Sequence, residues 1–167
     1  MTKMHIVCII VEALKFIFPA YCANAIPVIA GGGRPLDFDK KFLDGKPIFG
    51  RNKTYRGFFS GLLSGTFVGS LESLFFNYPP LFGLLLSLGA LFGDLAGAFL
   101  KRRLGFDPGE LLPIIDQIDF VVGAMLFSLP TQILTIDLAI AVLIITPPIH
   151  LLTNFAAYKF GLKNNPW

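Results

Sequence analysis

Long apolar segments dominate this sequence and limit what it can fold into. The chain has 167 residues, of which 54% are hydrophobic and 15% charged, and its mean hydropathy is +0.67. A helix needs about 20 mostly apolar residues to cross the bilayer core, and spanning segments must satisfy their own backbone hydrogen bonds. We therefore predict an all-α integral membrane protein, with a single domain over residues 1–167. About five transmembrane helices are predicted, at 4–30, 57–76, 79–100, 119–129 and 138–158.

The fourth and fifth segments are irregular. Residues 119–129, at about 1.5 Å per residue, fall short of a bilayer core about 30 Å thick. This helix should therefore either continue past Pro130 with a kink or begin within protein. In the last segment, Pro147 and Pro148 predict a break.

Basic residues indicate the orientation. They concentrate in residues 31–56, in residues 101–118 and in a tail with Lys159 and Lys163, while the turns near Asn77 and Pro130 have none. The positive-inside rule places such segments in the cytoplasm. We expect an N-terminus outside the cell and a site formed on the cytoplasmic side by the two polar loops. No nucleic-acid partner is expected.

Three aspartates are candidate metal ligands. Asp94 lies within an apolar segment, where a carboxylate costs about 2.5–3.5 kcal/mol and usually serves function. Asp116 and Asp119 are three residues apart, so on a helix they would share one face. Carboxylate oxygens suit Mg²⁺, which often shares its shell with substrate phosphates.

Two basic stretches are candidate phosphate sites. Lys101 lies two helical turns after Asp94 and is followed by Arg102 and Arg103. The stretch F-G-R-N-K-T-Y-R-G, residues 49–57, precedes a helix whose N-terminus can bind an anion. The spacing of a P-loop is absent, which argues against nucleotide hydrolysis of that type. Within the cluster of Lys101, Arg102 and Arg103, we interpret only Arg103 as a topology signal or a contact to lipid headgroups.

His150 and Asn154 lie four residues apart, on one face of the last predicted helix. For His150 we favour a hydrogen bond within the membrane over a role as a ligand.

The joint motifs resemble those of a known enzyme family. G-D-L-A-G-A-F-L-K-R-R-L-G-F-D-P-G, followed by D-Q-I-D-F, is similar to the signature of integral-membrane CTP-dependent phosphatidate cytidylyltransferases. D-Q-x-D replaces the G-G-x-x-D-R element of the bacterial and eukaryotic enzymes, which favours the archaeal CDP-archaeol synthases. Three other segments resemble that branch: A-N-A-I-P-V-I-A-G-G-G-R-P-L-D, D-G-K-P-I-F-G-R-N-K-T-Y-R-G and H-L-L-T-N-F-A-A-Y-K.

The resemblance implies a reaction and a set of residues. CTP and a polyisoprenoid ether-lipid phosphate would give CDP-archaeol and pyrophosphate with Mg²⁺. The implied metal ligands are Asp94, Asp116 and Asp119. The implied phosphate-binding residues are Lys53, Arg56, Lys101 and Arg102, with Asn52 and Thr54 beside the nucleotide.

Two other functions have to be weighed. Acids and bases at membrane depth also occur in ion-coupled transporters, and such a protein would not need CTP. A CDP-alcohol phosphotransferase is less compatible with the sequence, because the usual D-G-x-x-A-R helix pattern of those enzymes is missing.

Overall fold

Five α-helices make up most of the computed structural model, which describes residues 2–107, 109–163 and 165–166, with side chains described from residue 6 onward. The helices are α1 (Thr2–Ala30), α2 (Tyr55–Phe76), α3 (Phe82–Leu104), α4 (Ile115–Ser128) and α5 (Ile136–Lys159), with a 3-10 turn at Leu129–Thr131. Four of these helices, α1, α2, α3 and α5, are each long and apolar enough to cross a membrane. The predicted all-α membrane fold is confirmed.

The α4 helix begins four residues earlier than the sequence predicted. Its start at Ile115 places Asp116 in the first turn, where the helix dipole favours an acid. At 14 residues, or about 21 Å, it is too short to span by itself, and it does not continue past Pro130. One face of α4 packs against protein, with Phe120, Val121 and Ala124 fully buried or nearly so, while Val122, Leu126 and Phe127 are exposed.

The predicted break in the last helix is wrong, because α5 continues through Pro147 and Pro148. Proline removes a backbone donor, but transmembrane helices tolerate it where nearby groups compensate. Just before the two prolines, the Thr146 hydroxyl donates to the Val142 carbonyl at 2.6 Å and lies 2.9 Å from the Tyr21 hydroxyl, which holds this part of α5 against α1.

The four other helices lie in an arc around α1. Contacts join α2 to α3, α3 to α4 and α4 to α5, and all four helices contact α1. The core is small and apolar, with Phe16, Phe82, Phe120 and Val142 among its fully buried side chains. Successive helices run in opposite directions, so residues 31–54, 105–107, 109–114 and 160–163 lie at the same end of the bundle.

Close approach of α2 to its neighbours depends on glycine. Gly57, Gly61, Gly65 and Gly69 recur every fourth residue along α2 and are all buried. A Cβ atom on Gly65 would lie 2.6 Å from the Pro19 carbonyl oxygen, and one on Gly69 would lie 2.2 Å from the Gly83 Cα. Small residues at such positions allow the van der Waals packing that holds membrane helices together.

This packing predicts that Gly65→Leu destabilises the protein by about 1–3 kcal/mol or more, the usual range for overpacking. The added side chain has no space against α1 and α3. The test is retention of a monodisperse peak in detergent after heating. Ser70→Leu is the matched control because Ser70 is exposed on the same helix, and equal heat sensitivity of the two variants would contradict the prediction.

Candidate active site

The polar loop 31–54 is organised by one buried carboxylate. Asp37, which is only 5% exposed, accepts backbone N–H groups of Phe49 (3.0 Å), Gly50 (2.9 Å) and Asp39 (3.1 Å). Burial alone would raise the pKa of Asp37, but these donors favour its charged form and lower the pKa overall. The loop is therefore folded around a charge.

Arg103 fixes this loop to α3. Its guanidinium lies 3.2 Å from Asp44 and donates to the Pro47 carbonyl at 2.6 Å. It also stacks over the rings of Phe42 and Phe99, both at 4.8 Å. These partners are all within the protein, which argues against the expected headgroup contact of Arg103, while its role as a topology signal stays a prediction.

At the end of this loop, Lys53 reaches Asp94 on α3. Lys53 Nζ donates to Asp94 Oδ2 at 2.5 Å, and both side chains are about three-quarters buried. Burial opposes the charge on Lys53, but Asp94 outweighs that cost and the pKa of Lys53 is raised. The next residue, Thr54, is the N-cap of α2, and its hydroxyl oxygen accepts the Gly57 N–H at 3.1 Å.

A second ion pair joins the end of α3 to the start of α4. Lys101 Nζ donates to Asp116 Oδ2 at 2.6 Å and also to the Glu110 carbonyl. The same Asp116 oxygen accepts the Leu112 N–H at 2.9 Å. This contact sets the geometry of the α3–α4 loop, whose described residues are 105–107 and 109–114.

The Asp119 carboxylate lies against a glycine of α3. A Cβ atom on Gly97 would lie 1.9 Å from Asp119 Oδ2, so that helix face has room for the carboxylate only because residue 97 lacks a side chain. The other oxygen, Oδ1, is 2.6 Å from the Phe120 N–H. Asp94 and Lys53 are close enough to act on Asp119 electrostatically.

The three aspartates are brought to one region but not to one point. Within the described residues, no three acidic, His or Cys side chains have the spacing of a metal site. Asp94 and Asp119 are neighbours across α3 and α4, whereas Asp116 is occupied by Lys101 and the Leu112 N–H. Two carboxylates still match the needs of Mg²⁺, which commonly takes one or two together with water and phosphate oxygens.

The other predicted phosphate residues have diverse surroundings. Arg102 is 4% exposed, donates to the Phe106 carbonyl at 2.5 Å and lines a cavity of about 120 Å³ that Lys46 also lines. Asn52 and Arg56 are exposed on either side of the Lys53–Thr54 pair.

Helix α5 adds groups that the sequence reasoning did not assign to the site. The Asn154 amide lies 3.2 Å from His150 Nδ1, and the His150 ring lies 5.8 Å from that of Phe120. This agrees with the expected hydrogen-bonding role of His150. Lys163 is close enough to Asp94 and Asp116 to interact with them electrostatically. The sequence indicated this lysine only as a topology signal. The sequence signal for this position is Gly161, two residues earlier, because a glycine after a long helix predicts a turn.

Together these contacts form a strongly charged region at the polar end of the bundle. Carboxylates there can hold a cation, while the lysines can bind phosphate oxygens.

Comparison with known proteins gives consistent matches along the whole chain. A protein-family model described as CarS-like, CDP-archaeol synthase matches residues 6–167. The CDP-archaeol synthase of Methanococcus aeolicus is 43% identical over 98% of this chain and 100% of its own length. That of Pyrococcus furiosus is 44% identical over 95% of this chain and 98% of its own.

A solved structure described as an intramembrane enzyme for archaeal membrane lipids biosynthesis is also similar. It matches with a TM-score of 0.80 at 38% identity, over 87% of this chain and 94% of that one. The transporter alternative gains no support from any of these matches.

The Asp37 contacts generate a prediction about the loop. Asp37→Asn replaces a charged acceptor by a neutral one, and hydrogen bonds to charged groups contribute about 1.5–3 kcal/mol each. Hydrogen exchange at the Phe49 and Gly50 amides should accelerate by about tenfold or more, whereas Asp39→Asn, whose side chain is 56% exposed, should leave it unchanged.

The pH dependence has a defined sign. Because the pKa of Asp37 is lowered on folding, its stabilisation is present above the ordinary value of 3.8 and is lost as the pH falls through the lower folded value. Unaltered protection in Asp37→Asn would contradict the role given to this carboxylate.

Proposed function

This chain belongs to the CDP-archaeol synthase family, and we propose that it transfers the cytidylyl group of CTP to a polyisoprenoid ether-lipid phosphate. The products are CDP-archaeol and pyrophosphate. The observation that carries the proposal is the extent of the family match, which covers residues 6–167 and hence every residue of the candidate site.

We place the polar end of the bundle in the cytoplasm and the N-terminus outside. The distribution of Lys and Arg supports this orientation, and the structure groups the basic segments at one end. In this arrangement CTP arrives from water over the 31–54 loop. The lipid keeps its chains in the bilayer while its phosphate reaches the site.

The reaction needs charge neutralisation more than a strong base. An oxygen of the lipid phosphate attacks the α-phosphorus of CTP, a new P–O bond forms, and the bond to pyrophosphate breaks with its electron pair on the leaving group. The nucleophile is already an anion near neutral pH. The main barrier is repulsion between two anions, which preorganised cations reduce.

The lysines of the two ion pairs are placed where they could reduce the repulsion between the two anionic substrates. Lys53 and Lys101 each hold a carboxylate in the structure and would turn toward phosphate oxygens when substrate binds. Arg56 and Arg102 would contact outer phosphate oxygens. Asn52 and Thr54 flank Lys53 and would lie beside the nucleotide, Thr54 also orienting Lys53 through the α2 cap.

A magnesium ion fits the donor chemistry of this region. Asp94 and Asp119 would hold it, and a third ligand role for Asp116 stays a prediction, since that carboxylate is paired with Lys101. When bound, Mg²⁺ would neutralise charge on the triphosphate and on the leaving pyrophosphate.

The direct test is pyrophosphate release by the purified protein in detergent. We expect release that requires CTP, Mg²⁺ and an ether-linked lipid phosphate together, and that stops on adding EDTA. ATP in place of CTP should give little product. Release that is independent of the lipid, or equal with ATP, would overturn the proposal.

Single amide substitutions test the acidic residues. Asp94→Asn and Asp119→Asn should each lower activity by about 100-fold or more, as the loss of one electrostatic stabiliser commonly does. Asp137→Asn is the control, because Asp137 is exposed at the opposite end of the bundle. Because Asp94→Asn also removes the partner of Lys53, a monodisperse peak in detergent at the assay temperature checks that each variant is folded. Full activity of both site variants would refute the assignment.

A further inference from the structure

We propose that Lys163, in the tail after α5, is a further substrate-binding residue whose ammonium group contacts a substrate phosphate. The proposal rests on the function proposed above and adds a cation from a part of the chain distant in sequence from the two loops. The phosphate belongs either to CTP or to the lipid, and the two sources can be separated by experiment.

The tail is turned toward the site by a specific backbone motif. Beyond α5, the Leu162 N–H donates to the Ala157 carbonyl at 2.9 Å and the Gly161 N–H donates to the Tyr158 carbonyl at 3.0 Å. This pair of bonds defines a Schellman motif, and Gly161 has the positive φ, +70°, that such a motif requires. The helix therefore ends at Lys159, and the chain turns at Gly161, two residues before Lys163.

A second contact holds the tail against the α3–α4 loop. The Asn165 side-chain amide donates to the Gly109 carbonyl at 3.3 Å. Lys163 thus lies between two anchored points, the α5 cap and this bond. Its side chain is partly buried, unlike that of Lys159 at the end of α5, which is exposed.

The surroundings of Lys163 are those of the candidate site. Charges that act on it belong to Lys53 from the first polar loop, Lys101 from the end of α3, and both Asp94 and Asp116. It also acts on His150, which faces the same region from α5. Lys163 therefore lies in the same charged region as Lys53 and Lys101, which come from two other segments of the chain.

This grouping has an electrostatic cost that a phosphate would offset. Burial lowers the pKa of Lys163, and the nearby Lys53 lowers it further, against the opposing effect of Asp116 and Asp94. A polyanion among the three ammonium groups would relieve their repulsion, and this favours phosphate as the ligand.

The test compares Lys163→Met and Lys163→Arg with Lys159→Met, in the full-length protein in detergent. CTP is titrated at saturating lipid phosphate, and lipid phosphate at saturating CTP. We expect Lys163→Met to raise the KM for one substrate by about tenfold or more, the effect of losing one charge-assisted hydrogen bond. Lys163→Arg should restore most of it, and the substrate affected identifies the source of the phosphate.

A binding measurement separates this proposal from the proposed function. Calorimetric titration with inorganic pyrophosphate requires no turnover, and Lys163→Met should weaken binding by a similar factor while Lys159→Met leaves it unchanged. If the wild type binds pyrophosphate but releases none from CTP, the proposed function fails and the role of Lys163 is still decided by the titration.

Three outcomes would overturn the proposal. One is a Lys163→Met variant that matches Lys159→Met in both KM values and in pyrophosphate affinity. Another is a loss of thermal stability that Lys163→Arg does not correct, which would make the lysine a structural anchor of the tail. The third is a wild-type protein that binds neither inorganic pyrophosphate nor the ether-linked lipid phosphate.

Discussion

Glycine-mediated approach of α3 to α4 is the constraint on which the site depends. Cβ atoms at Gly89 and Gly123 would lie 2.4 Å and 2.2 Å from the opposing carbonyl oxygens, and one at Gly93 would lie 2.3 Å from the Asp119 carbonyl oxygen. The two backbones are therefore nearly in contact along this line. That proximity brings Asp119 of the short α4 beside Asp94 of α3, and it continues to Gly97, where the gap receives the Asp119 carboxylate.

The acids brought together in this way would repel one another without cations. A buried charge is tolerated when it is paired and hydrogen-bonded, and two of the three aspartates are each paired with a lysine from another segment. These pairs are also the links that close the polar end, since Lys53 ties the first loop to α3 and Lys101 ties α3 to α4. The same two ion pairs therefore both hold the loops in place and form part of the charged region.

Much of this arrangement could be predicted from the sequence, because it depends on patterns that are local. The length of the apolar segments predicted the helices, and the spacing of Asp116 and Asp119 predicted that they would share one face if both were helical. The start of α4 was missed because Ile114 caps it with a φ of +69° and no side-chain hydrogen bond, so no capping residue marks it. The role of Arg103 was also missed, because its partners Asp44 and Pro47 are far away in sequence and a basic residue at a helix end has the same pattern whether it contacts lipid or protein.

The ends of α3 and α5 show how a local rule can carry information about a distant site. After α3, Gly105 has a φ of +93°, and its N–H and that of Phe106 donate to the carbonyls of Arg102 and Lys101. The same motif follows α5 at Gly161. In both cases a glycine stops the helix at the polar end of the bundle and the chain turns across it, next to a lysine near the shared carboxylates. A glycine after a long apolar helix predicts the turn, but only the packing of α3, α4 and α5 determines that both turns face the same charges.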